Sequence, residues 1–153
     1  MPSFESVFKE SKGKPISYEG KTLVMSDDFP TQGETHFRLV FEACDSEWRQ
    51  GVALDVIGKV KVGGQIVRGG IVLWHDTAPQ AVEFEIIGDT PAIQVKNVWD
   101  VGNGTIHSWH NGAAMIIELL PNGRRYRCND GLADDDFDDV IFRIERVEKS
   151  VTA

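Results

Sequence analysis

The sequence predicts an all-β domain: an antiparallel two-sheet sandwich, jelly-roll-like, of about nine to ten short strands. Three observations lead there. Apolar and polar residues alternate with the period of a half-buried strand, turn residues recur between the alternating runs, and helical periodicity is nearly missing. In AVEFEII (81–87), Val82, Phe84 and Ile86 fall on one face while Glu83 and Glu85 fall on the other. In THFRLVFEA (35–43), Phe37, Leu39 and Phe41 oppose Arg38 and Glu42.

The elements follow in order. Strand-like runs are KTLVM (21–25), THFRLVFEA (35–43), GVALDVIG (51–58), QIVRGGIVLWH (65–75) and AVEFEII (81–87). The second half adds AIQVKNVW (92–99), GAAMIIELL (112–120), RRYRC (124–128) and FDDVIFRIERV (137–147). Gly63-Gly64, Gly88-Asp89-Thr90-Pro91, Gly102-Asn103-Gly104 and Asn122-Gly123 sit between runs. VGGQIVRGG reads as a hairpin. LLPNGRRY is the strongest hairpin signal, because Asn-Gly readily takes the positive φ angles of a type I′ turn. SFESVFKES (3–11) fits a short helix capped by Ser3, with Phe4, Val7 and Phe8 on one face. The chain reads as one domain over 1–153, with 1–15 a short helix or arm and 148–153 a frayed tail.

Charge narrows the partners. Lys and Arg number 16 against 24 Asp and Glu, a net charge of −8. Nucleic acid needs a basic face, so it is not expected as a partner. An anionic membrane surface is disfavoured for the same reason, and no apolar run approaches the roughly 18 residues of a membrane helix. MPSFESVFKESKGK lacks the pattern of a signal peptide, which favours the cytoplasm unless the chain binds calcium. Cys44 and Cys128 are too few for a disulfide scaffold, and reduced, small-hydrophobe cysteines are the favoured reading. No Gly-x-Ser-x-Gly elbow or phosphate-cradling glycine loop is present.

Three constellations can carry chemistry. The first is CNDGLADDDFDDVIFRIE (128–145), with six aspartates inside ten positions at the mouth of an apolar strand. Asp134, Asp136 and Asp138 alternate and can converge on a hard cation, and calcium accepts six to eight oxygens in flexible geometry. Asn129 and Asp130, upstream, are placed to close the shell from the incoming strand. An EF-hand is excluded: Asp139 occupies the position where that loop turns on glycine, and VIFRIERV alternates like a strand. The second is Trp48, Trp74, Trp99 and Trp109. Indoles beside amides and carboxylates make platforms for sugars or anchors for proteins. Trp74 and Trp99 end apolar runs and read as core, whereas Trp109 lies in the glycine-flanked loop GNGTIHSWHNG with His107, His110 and Asn111. The third is the histidines. His75, followed by Asp76, with His107 and His110, suggests a transition-metal site, although residues three apart on a strand face opposite ways. Arg124, Arg125 and Arg127, next to the acidic loop, are expected to balance its charge.

DDDFDDVIFRIE resembles the closing segment of bacterial calcium-binding β-sandwich domains of uncharacterised role. There, an Asp-x-Asp-Phe-Asn/Asp-Asp motif opens the last strand and its acids hold calcium. The longer stretch, 128–145, is similar more loosely to the end of calcium-dependent jelly-roll lectins. The resemblance implies calcium ligands at Asp134, Asp136, Asp138 and Asp139, with Asn129 and Asp130 behind them. The expected function is a non-enzymatic binding module, calcium-stabilised, for a glycan or protein ligand. The rival is a cupin-type metal-dependent enzyme using His75, His107 and His110, and a third reading is a structural subunit that self-associates as a homo-oligomer.

Overall fold

The computed structural model describes residues 8–11, 14–18, 20–46, 48–100, 102, 104, 106, 114–129, 137 and 139–147. Eleven strands run through them. They are β1 (Ile16–Tyr18), β2 (Lys21–Leu23), β3 (Asp27–Pro30), β4 (His36–Cys44), β5 (Arg49–Val62) and β6 (Gln65–Trp74), then β7 (Ala81–Ile87), β8 (Ala92–Asp100), β9 (Ala114–Leu120), β10 (Gly123–Asn129) and β11 (Val140–Arg146). β1 and β2 pair with each other. The other nine form one antiparallel sheet in the order β3-β8-β5-β7-β4-β11-β10-β9, with β6 on β5. No helix among the described residues is long and apolar enough to cross a membrane.

One strand turns this sheet into two layers. The first half of β5 pairs with β8, from Arg49↔Asp100 to Asp55↔Gln94, and its second half pairs with β7, from Lys59↔Ile87 to Val62↔Phe84. β7 and β8 therefore lie end to end along β5, and the Gly88–Pro91 joint turns where β5 turns. The register with β6 slips between Asp55 and Lys59 at the same corner. Gly58 permits the close approach, since a Cβ there would sit 2.7 Å from the Ile87 carbonyl oxygen. The Thr90 hydroxyl donates to the Ile57 carbonyl and ties the two corners together.

The far ends of the curled sheet meet. Val24 exchanges backbone hydrogen bonds of 3.0 and 2.8 Å with Met115 of β9. Three residues later, Asp27 pairs with Val95 of β8. The stretch 24–30 thus touches both sheet ends, and side chains reinforce the closure. Arg124 Nη1 donates to both oxygens of Asp27 at 2.9 and 2.8 Å, and the Tyr126 hydroxyl donates to the same carboxylate. Arg146 donates to the Pro30 carbonyl at 2.6 Å and lies over the Phe29 ring. Between the layers sit Phe29, Phe37, Phe84, Tyr126 and Phe142, with Phe37 stacked on Phe84 and Tyr126 on Phe142. Each large apolar side chain removed from water there contributes about 1.5–3 kcal/mol.

The all-β antiparallel expectation holds, with the two layers arising from one sheet bent at β5. Both alternating runs bury the predicted faces: Val82, Phe84 and Ile86 on β7, and Phe37, Leu39 and Phe41 on β4. The chain is helical at 8–10, inside the predicted 3–11. The break expected after residue 58 is instead a corner within β5. Gly63 and Gly64, both at positive φ (56° and 78°), make the predicted β5–β6 hairpin.

Two expectations are corrected, the turn at 121–123 and the burial of Trp74. The β9–β10 hairpin turns on Pro121 and Asn122, with Leu120 paired to Gly123, and Asn122 is not at positive φ. Gly123 is needed for space, because a Cβ would collide with the Ile144 carbonyl oxygen. Trp99 is core at 2% exposure, but Trp74 is half-buried and lies across Gly51 on the outer face. Among the described residues the three arginines have partners of their own: Arg124 pairs with Asp27, Arg125 with Glu42 and Glu118, and Arg127 with Glu118. Asn129, offered above as a ligand, uses its side-chain oxygen to accept the Phe137 N–H at 2.7 Å.

Both cysteines are reduced, as the sequence favours. Cys44 and Cys128 each oppose Val140, from strands on either side of β11. Two strand spacings put their Cα atoms roughly 9.5 Å apart, beyond the limit of about 7 Å for a disulfide.

Candidate functional site

Pairing places many strand termini at one end of the sheet. Arg49 of β5 opposes Asp100 of β8, Gly51 opposes Trp74 of β6, and Cys44 of β4 opposes Val140 of β11. Ala114, where β9 begins, opposes Asn129, where β10 ends. The segments 101–113 and 130–138 therefore leave the sheet from adjacent positions on the same rim. Those two segments contain the tryptophan–histidine and aspartate constellations that sequence alone treats as unrelated.

The foot of the acidic segment is tightly built. Asn129 is fully buried; besides holding the Phe137 N–H, its carbonyl accepts Asn97 Nδ2 of β8 at 2.7 Å. Phe137 adopts φ 55°, a left-handed conformation that costs a non-glycine residue about 1–2 kcal/mol. Its ring is buried with Phe8, Leu23 and Ala114 in a small cluster separate from the main core. That cluster joins Phe137, the last but one position of the acidic segment, to Ala114, the first position after the tryptophan segment. Backbone strain held by surrounding packing is a recurring property of functional segments.

Asp139 is the one aspartate among the predicted calcium ligands that lies within the described residues, and it is 4% exposed. Its N–H donates to the Cys128 carbonyl and its C=O accepts the Asp45 N–H. Burial raises the Cys128 thiol well above its ordinary pKa, and the Asp139 carboxylate adds to that. Asp130, Asp134, Asp136 and Asp138 lie outside the described residues, as do Trp109, His107, His110 and Asn111. His75 is exposed at the rim, edge-on to Phe41 with ring centroids 5.4 Å apart. Among the described residues no three potential metal-ligating side chains converge.

Sequence reasoning misses one further rim feature. Arg49 Nε donates to both Asp76 oxygens at 2.8 and 3.0 Å, while its guanidinium lies 4.3 Å from the centroid of Trp74. Gly51 makes room, because a Cβ there would stand 2.8 Å from the indole. The signal is in the sequence only as a glycine whose cross-strand partner is tryptophan, which needs the register to be read. Trp48, half-buried, lies in the neighbouring β4–β5 connection.

Compared with known proteins, the chain matches no family model, no curated protein and no solved structure.

Proposed function

We propose that this chain is a non-enzymatic binding module whose rim takes a glycan or protein ligand and is stabilised by calcium. The calcium would be held by Asp130, Asp134, Asp136, Asp138 and Asp139, and Trp109, His107, His110 and Asn111 would meet the ligand. The observation that carries this reading is the pairing of Ala114 with Asn129, reinforced by Phe137 packing against Ala114. A cation gathered by the aspartates would fix one segment and, through that shared foot, order its neighbour. Trp74 under Arg49 supplies a second aromatic surface on the same rim.

The cupin-type alternative has less support. It needs imidazoles converging between the layers, and that space is filled by Phe37, Phe84, Tyr126 and Phe142, while His75 is exposed.

The test is glycan-array binding of the whole chain in millimolar calcium and in chelator, repeated on Trp109→Ala and on D134N/D136N. The reading predicts a glycan signal that both variants and the chelator abolish. A signal unchanged by chelator contradicts the calcium role, and one unchanged in Trp109→Ala removes that residue from the site.

A further inference from the structure

Strand β6 pairs with β5 along one side, and among the described residues nothing pairs with its other side. It offers an open edge from Gln65 to Leu73, the Trp74 carbonyl being taken by the Thr77 and Ala78 N–H groups, and folded proteins ordinarily blunt or cover an edge of that length. Ile66 and Val72, 58% and 36% exposed, stand on the outward face of this edge. By alternation Arg68 and Gly70 share that face with them.

The charges along the edge are incomplete within one chain. Arg68 stands directly across from Lys59, a like-charge pair that destabilises a sheet. Arg125 and Arg143 are opposed in the same way, but Glu42 bridges them, 2.9 Å from one and 3.1 Å from the other. No acid does this for Arg68 and Lys59 among the described residues. One row along, Asp55 opposes Gly70, and its carboxylate lies over that glycine where a side chain would otherwise stand.

We propose that β6 joins two copies of this chain edge to edge, antiparallel, about a two-fold axis at Gly69. In that register Arg68 faces Gly70 of the partner subunit, beside the partner subunit's Asp55, and the contact occurs twice. Ile66 faces Val72 of the partner subunit on the same side, and Val67 faces Ile71 of the partner subunit on the other. Inward residues meet inward ones throughout, as strand pairing requires. Gly69, at φ 88°, marks the bend of β6 opposite the β5 corner. An axis along the sheet normal there preserves the bend in both copies, and glycine leaves no side chain on the axis. Such an interface is isologous and closes at two chains. The two rims then point in opposite directions, so the dimer neither needs nor blocks the rim.

The test is the solution mass of the full chain at tens of micromolar by sedimentation velocity. The expected mass is twice the 17.0 kDa of one chain. Arg68→Glu, which adds an acid beside Asp55 while relieving the clash with Lys59, should give single chains with an unchanged sheet spectrum. D55R/R68E should restore the dimer, and Val72→Lys should disrupt it independently of Arg68. A single-chain wild type, a larger open assembly, or a dimer that persists in Arg68→Glu overturns the proposal. Failure of D55R/R68E to restore the dimer overturns the register at Gly69.

Discussion

The Tyr126 hydroxyl donates a 2.6 Å hydrogen bond to Asp27 Oδ2 across 99 residues of chain. Asp27 lies on the strand at one end of the sheet order and Tyr126 on the penultimate strand at the other. With Arg124 on the same carboxylate, this contact fastens the curl. Tyr126→Phe keeps the ring stacked on Phe142 and loses only the hydroxyl. A hydrogen bond to a charged partner contributes about 1.5–3 kcal/mol, so thermal melting should fall by roughly 3–10 °C for a domain of this size. Asp27→Ala should cost more, because it also strands Arg124, and a double-mutant cycle on Asp27 and Tyr126 should show strong coupling.

The same phenol sets the alkaline limit of stability. Burial, and then the Asp27 carboxylate, push the Tyr126 hydroxyl far above its usual value of 10.0. A group whose folded pKa is raised contributes stability that is complete below the unfolded value and lost as pH rises past it. Denaturant titrations should therefore show stability falling above about pH 10, by up to about 1.4 kcal/mol per unit for this group. Buried Cys128 adds the same sign of dependence from its usual value of 9.0 upward. Tyr126→Phe should make the limb above pH 10 shallower; an unchanged slope would contradict the assignment.

The thiols should separate in reactivity. Cys128 is fully buried and its thiolate is disfavoured, whereas Cys44 is partly exposed. A disulfide reagent at neutral pH should modify one thiol in the native chain and two in denaturant. Rapid modification of both in the native state would contradict the packing at Val140.

The fold was legible where burial is one-sided. On β4 and β7 the alternation states directly which face is inside, because a half-buried strand changes environment at every residue. β5 was harder to read, since its corner carries Val56, Ile57 and Gly58 through a change of partner strand, and a single chain segment does not display its neighbours. The Asn122-Gly123 hairpin was located correctly for a different physical reason, the crowding of Gly123 against β11. Arg124, Arg125 and Arg127 show what charge proximity in sequence leaves out. In a sheet the nearest acid is across a strand, so their partners are Asp27, Glu42 and Glu118. The candidate residues at 107–111 and 130–139 were visible as compositions. Their shared rim was not, because it depends on Ala114 and Asn129 being register partners.

The central claim is that the rim is organised by a cation at the acidic segment, and calcium-dependent melting tests it most directly. A cation bound only by the folded state stabilises by RT ln(1 + [L]/Kd), about 2.7 kcal/mol at a hundredfold excess over Kd. The wild type should therefore melt higher in millimolar calcium than in chelator by roughly 5–10 °C, and D136N/D138N should erase the difference. Identical melting temperatures for the wild type in calcium and in chelator would contradict the account.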